Sequence, residues 1–166
     1  MSFGLTIFAV PNIPEIKAGD DLSKLIFNAA SEAGISLEDQ DVLVIAQKVV
    51  SKAEGCVYAA ENIEVSPFAR QMGVYTEHPP EYMELVLKNS KRIVRMAQGM
   101  VISQTHHGLV MANAGVDASN AGGENRFIVL PADPDKSAAI IKDAPARKSK
   151  LFISWPFNLV GPVINT

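Results

Sequence analysis

A chain of 166 residues is long enough to bury a core in one domain without disulfides or a structural metal. Its formal net charge of −3 leaves no broad basic face, which argues against a nucleic-acid partner, and its one cysteine, Cys56, excludes an internal disulfide framework and fits a reducing compartment, the cytoplasm. The apolar N-terminus lacks a basic n-region and is broken at Pro11 and Pro14, so it makes a poor signal peptide, and no apolar run is long enough to span a bilayer.

In chain order, "LTIFAV" (Leu5 to Val10) is β-branched and aromatic and predicts a strand, stopped by the turn and cap residues of "PNIPEIKAGDD". From Asp21, "DLSKLIFNAASEAG" sets Leu22, Leu25, Ile26 and Ala29 on one face and ends at Gly34, the pattern of an N-capped amphipathic helix. Val42 to Ile45 predicts a buried strand feeding a polar segment, "QKVVSKAEG". "SPFARQMG" and "PPEYMELVLKNSKRIVRMA" predict two helices covering a sheet, the second with Tyr82, Leu85, Val86, Ile93 and Val94 as its buried stripe. "GMVISQT" and "GLVMANAG" predict two strands joined at His106, His107 and Gly108, a hairpin if the turn is tight. "RFIVLPADPDKSAAIIKDAPARKSKLFIS" predicts a strand, a Pro/Asp loop, a helix from about Asp135 and another strand. With no internal repeat, the expectation is a single domain over residues 1–166 of the α+β class, with mixed or antiparallel sheets and packed helices.

Two segments carry candidate chemistry. "ANAGVDASN" offers Asp117 as a hard oxygen ligand, Asn113 and Asn120 as groups that both donate and accept, and Gly115 as a place where backbone can approach a ligand, all suited to a magnesium-phosphate. Taken on spacing alone, the same residues more readily describe a capped turn or helix, with Asp117 and Ser119 as the caps. In "QKVVSKAEG", Lys48 and Lys52 straddle Ser51 and could hold phosphate or carboxylate oxygens, with Glu54 orienting Lys52; the alternative is a solvated edge with ordinary lysines. His106 and His107 read as turn histidines and Cys56 as an inert, partly buried thiol. "AGGEN" lacks the spacing of a phosphate-binding glycine loop.

"IPEIKAGDDL", "DVLVIAQKVVSKAEG", "SPFA", "HGLVMANAGVDASN" and "LPADPDKSA" together resemble the coenzyme F420-0:L-glutamate ligase family, the GTP-dependent γ-glutamyl ligases, from about Pro11 to Ser137. The resemblance implies an intertwined homodimer of α+β fold. It implies use of GTP with Mg2+ or Mn2+, and K+ as an accessory ion, to join L-glutamate to a carboxylate of the deazaflavin precursor F420-0 through an acyl phosphate. By the same resemblance Asn12, Ile13, Pro14 and Glu15, with Gln47, Lys52 and Asn120, lie near the guanine nucleotide. The resemblance also implies that Asp117 is the metal ligand and that Lys52 and Asp117 serve catalysis. Members of the family carry an Asp-Thr/Ser-x-Gly-Arg-Pro stretch, with a further metal-ligand Asp, after the strand matching "KLFIS"; here Ser154 runs directly into "WPFNLVGPVINT". The expectation is therefore a member lacking the family's C-terminal segment, with an incomplete metal site. Its alternatives are an incomplete paralogue or fragment that binds nucleotide or deazaflavin without turnover, completed or not by a partner chain, and a ligase for another carboxylic acid. The apolar end from Leu151 is expected to be buried, at a dimer interface. Lys52, Asp117 and Asn120 are expected around one cavity.

Overall fold

Asp21 caps the first helix as its sequence requires: its carboxylate accepts the Lys24 N–H at 3.0 Å, opening α1 (Leu22–Glu32), which closes at Ala33 with Gly34 following in the left-handed region. The computed structural model describes residues 4–38, 41–119, 121–142 and 152–154. It divides the chain into two compact units, Met1–Ala53 with Pro134–Thr166, and Glu54–Asp133.

In the first unit α1 is followed by β1 (Val42–Val44) and α2 (Gln47–Ala53), and, much later in the chain, by α5 (Pro134–Lys142) and β7 (Phe152–Ser154). β1 and β7 run parallel, with Leu43 opposite Ile153. Ile16, Leu22, Ile26, Leu43, Ile45, Val50 and Ile141 form the core. Ser23 ties α1 to α5 through its hydroxyl, which donates to the Ile141 carbonyl at 3.1 Å.

Two expectations change here. Leu5 to Val10 is not a strand: it pairs with nothing among the described residues, and Leu5, Ile7 and Phe8 are exposed. β propensity only becomes a strand when a neighbouring edge takes up its backbone groups. Nor is Val42 to Ile45 buried on both faces. Leu43 and Ile45 point into the core, whereas Val42 and Val44 are more than half exposed, so β1 is covered on one face.

The second unit holds β2 (Val57–Ala59), α3 (Pro67–Thr76), α4 (Pro80–Lys88), β3 (Ser90–Ala97), β4 (Met100–Thr105), β5 (Val110–Ala112) and β6 (Arg126–Ile128). Ser66 caps α3 by accepting the Ala69 N–H, and α3 packs on α4 with both against β3. β2 pairs antiparallel with β6, and β3, β4 and β5 form an antiparallel meander. The expected hairpin is present: Thr105 N–H reaches the Leu109 carbonyl at 2.8 Å and Gly108 N–H the Thr105 carbonyl at 3.0 Å. Ala69, Met72, Met83, Val86 and Val101 are at most 1% exposed and centre a core that includes Tyr82, Ala114, Val116 and Phe127. Each large aliphatic side chain so buried contributes about 1.5–3 kcal/mol.

The long helix expected over "PPEYMELVLKNSKRIVRMA" ends at Lys88, and Ser90–Ala97 is a strand. Tyr82, Leu85 and Val86 are buried on α4 as expected, but Ile93 is half-buried on the sheet and Val94 is 45% exposed. Register shifts between Ser90 and Arg92 and between Ile93 and Arg95 explain the misreading: two irregularities break the period of two, so the apolar residues no longer alternate. The class is α+β, with antiparallel and parallel pairings and packed helices. No helix among the described residues is long and apolar enough to cross a membrane.

Candidate functional site

In the first unit, the polar segment "QKVVSKA" forms helix α2, because Val49 and Val50 turn inward while Gln47, Lys48 and Lys52 stay partly accessible. Lys52 sits in its last turn, where a cation is favoured by the helix dipole. Its Nζ lies 2.5 Å from Glu15 Oε1, and its side chain is only 16% exposed against 72% for Glu15. The structure thus supplies Glu15, 37 residues upstream, as the carboxylate on Lys52. The Gly19 N–H, 2.8 Å from the Ala53 carbonyl, holds the loop after Glu15 against the end of α2. Gln47 donates from Nε2 to the hydroxyl of Ser51 at 2.5 Å. Asn12 is exposed with φ +60°, Ile13 packs on the core and Pro14 is exposed. The "PNIPEIKAGDD" segment and helix α2 therefore meet through Glu15 and Lys52.

In the second unit, Asn113, Ala114 and Gly115 occupy the left-handed region in succession, with φ of 49°, 51° and 72°. Ala114 is fully buried and has no glycine's freedom, so the surrounding contacts hold it there. The Asn113 side-chain oxygen accepts the Val101 N–H at 2.9 Å, and its carbonyl accepts the Val116 N–H. Asp117 then exchanges both backbone hydrogen bonds with Ile128, at 3.0 and 2.8 Å, and its Oδ1 accepts the Ser119 N–H at 2.6 Å. The capped turn weighed from the sequence exists, and it fixes the backbone on both sides of the carboxylate.

Tyr82 completes this region. Its hydroxyl donates to the Val116 carbonyl at 2.8 Å, its ring stacks on His78 at 5.0 Å, and Phe127 meets it edge-on at 5.6 Å. Burial pushes the phenol above its ordinary range, the Asn113 side chain pulls it back, and the Asp117 charge adds to the rise. The sequence placed Tyr82 in the core stripe and missed its polar end. The available signal was a hydroxyl on a buried stripe, which must find a partner.

The remaining candidates are accounted for locally. His106 Nε2 donates to the Lys88 carbonyl, and His107 Nε2 to those of Pro131 and Ala132. Burial raises the Cys56 thiol and the Glu54 charge adds to it, the opposite of activation. Asn120 and the end from Trp155 lie outside the described residues.

A divalent cation can be tested against these groups. No set of three or more His, Cys, Asp or Glu able to hold a metal occurs among the described residues. Mg2+, however, ordinarily takes one or two carboxylates and fills its shell with water and phosphate oxygens. Asp117 is a hard donor on a fixed backbone, which fits a cation arriving with a nucleotide and not a protein-built cage.

Comparison with known proteins assigns the scaffold. The sequence profile of the F420-0:gamma-glutamyl ligase family matches residues 11–151, and the chain belongs to that family. It is 39% identical over 155 residues to the coenzyme F420:L-glutamate ligase of Methanothermobacter thermautotrophicus, covering 91% of this chain and 61% of that one. Against the coenzyme F420:L-glutamate ligase of Methanopyrus kandleri, identity is 44% over 134 residues, covering 81% and 51%. The chain thus spans about half to three-fifths of the length of these relatives.

Proposed function

We propose that this chain takes part in GTP-dependent γ-glutamyl ligation, forming an amide between L-glutamate and a carboxylate of F420-0. A carboxylate is a poor electrophile, so the reaction calls for an acyl phosphate that the glutamate amine attacks, and for groups that neutralise phosphoryl oxygens as charge shifts. Asp117 would hold Mg2+ or Mn2+, whose contribution when bound is charge neutralisation at those oxygens. Lys52 would meet anionic oxygens as a point charge, kept in place by Glu15 until substrate competes for it. Asn12, Ile13, Pro14 and Gln47 would contact the nucleotide from the same unit as Lys52, and Asn120 is the further nucleotide contact that the family likeness implies. The observation that carries the reading is Asp117, whose backbone is pinned to Ile128 through both its N–H and its carbonyl.

The competing reading is a nucleotide or deazaflavin binder without turnover. A homodimer belongs to the proposal under either reading. Titrating GTP by calorimetry with and without Mg2+, on wild type and Asp117→Ala, alongside an assay of glutamate addition to F420-0, separates them. Ligation requires magnesium-dependent GTP binding, its loss in Asp117→Ala, and product. Binding without product selects the second reading. Equal GTP binding with and without metal in both proteins would remove Asp117 from the site.

A further inference from the structure

The carbonyl of Val116 and the N–H of Asp117 belong to one peptide plane, and both ends of that plane are held. The N–H donates to the Ile128 carbonyl at 3.0 Å, and the carbonyl accepts the Tyr82 hydroxyl at 2.8 Å. The tilt of this plane fixes ψ of Val116 and φ of Asp117, and so the direction in which the Asp117 side chain leaves the backbone. The hydroxyl cannot drift, because its ring lies between His78, stacked with an interplanar angle of 13°, and Phe127, at 70°, in a residue that is 7% exposed. Phe127 also adjoins Ile128, the residue that holds the other end of the plane.

We propose that Tyr82 is a positioning residue for Asp117: its hydroxyl sets the orientation in which the carboxylate meets a cation carried by a nucleoside triphosphate. The inference rests on the reading of Asp117 as a cation ligand given above. The competing account is a core tyrosine whose hydroxyl has simply found an acceptor. The two accounts differ in what the hydroxyl controls. A satisfied core group contributes stability alone, whereas a partner behind a metal ligand governs metal affinity, typically by about 10- to 100-fold.

Tyr82→Phe keeps the ring, its volume and its aromatic neighbours and removes only the donor. Val86→Ala, at a fully buried position on the same helix, lowers stability without removing a hydrogen bond to the Val116–Asp117 peptide. GTP is titrated by calorimetry in the presence and absence of Mg2+ on the full chain, its two variants and Asp117→Ala, with thermal unfolding measured beside it. The expected result is a loss of about tenfold or more in GTP affinity with Mg2+ in Tyr82→Phe, unchanged affinity without metal, and no comparable loss in Val86→Ala. If Tyr82→Phe binds magnesium and GTP as wild type does while Asp117→Ala does not, the positioning role is overturned and the proposed function stands. Equal losses in Tyr82→Phe and Val86→Ala would trace the effect to general softening and also overturn it. Unchanged binding in Asp117→Ala would defeat the proposed role of Asp117, and this inference with it.

Discussion

Gly115→Ala tests whether the left-handed run is a requirement of the packing. Gly115 has φ +72°, a conformation that costs an L-residue about 1–2 kcal/mol. An added Cβ would also stand 3.0 Å from both Cγ and Cδ2 of Leu130 and 3.1 Å from Cδ1, so the branch point itself is in the way and turning a methyl aside does not clear it. Moving Leu130 off its rotamer adds about 0.5–1.5 kcal/mol, while the lower entropy of the unfolded alanine chain returns about 0.4–1. The net expectation is a destabilisation of about 0.5–3 kcal/mol. Native-state hydrogen exchange reads it locally: the Val101 and Ile128 amides, bonded to Asn113 and Asp117, should lose protection together. Combining Gly115→Ala with Leu130→Ala should recover the steric share, seen as a favourable coupling in a double-mutant cycle. Wild-type exchange in Gly115→Ala, or strict additivity with Leu130→Ala, would refute the reasoning.

Glu84 accepts from the hydroxyl and N–H of Ser66 and lies 3.5 Å from Lys88, and its carboxyl is held below the ordinary range, chiefly by the Ser66 hydroxyl. A folded pKa below the unfolded one means stability fully present above the unfolded value and lost as pH falls through the folded value, so Glu84→Gln should lower stability at neutral pH and flatten the acid limb of an unfolding titration. A parallel acid limb in the variant would contradict this. Ser103 Oγ is buried with no partner among the described residues, so Ser103→Ala should be neutral or stabilising by up to about 1 kcal/mol in urea unfolding; a clear loss of stability would expose an unrecognised partner. Cys56, its thiol pushed up by burial, should react with a disulfide reagent at neutral pH more slowly than cysteine in an unstructured peptide, and a faster reaction would mean the burial is breached.

The sequence made α1 legible from end to end, because its cap, its stripe and its closing glycine agree. The β4–β5 hairpin was legible because two short apolar runs flank the turn at His106, His107 and Gly108. β3 was not, since its two register shifts erase the alternation on which a strand reading depends. Leu5 to Val10 failed differently: its composition speaks for a strand, but composition cannot supply a neighbour. At the candidate site, residue types and family likeness singled out Lys52 and Asp117, yet neither the pairing of Lys52 with Glu15 nor the support of Asp117 by Tyr82 could be read, because each joins residues 34 to 37 positions apart. Such partners are set by how helices and strands pack, which local patterns do not encode.

The parallel pairing of β1 with β7 gives the chain a folding order. Val42 must wait for Phe152, and closing a loop of about 110 residues costs conformational entropy that a hairpin never meets. The segment Glu54–Asp133 is continuous and its pairings lie within it, so on a ribosome it can collapse while the strand that completes the first unit is still unsynthesised. Until then β1 presents an unpaired edge flanked by the apolar side chains of Val42 and Val44, and the nascent protein passes through an interval in which it is open to aggregation.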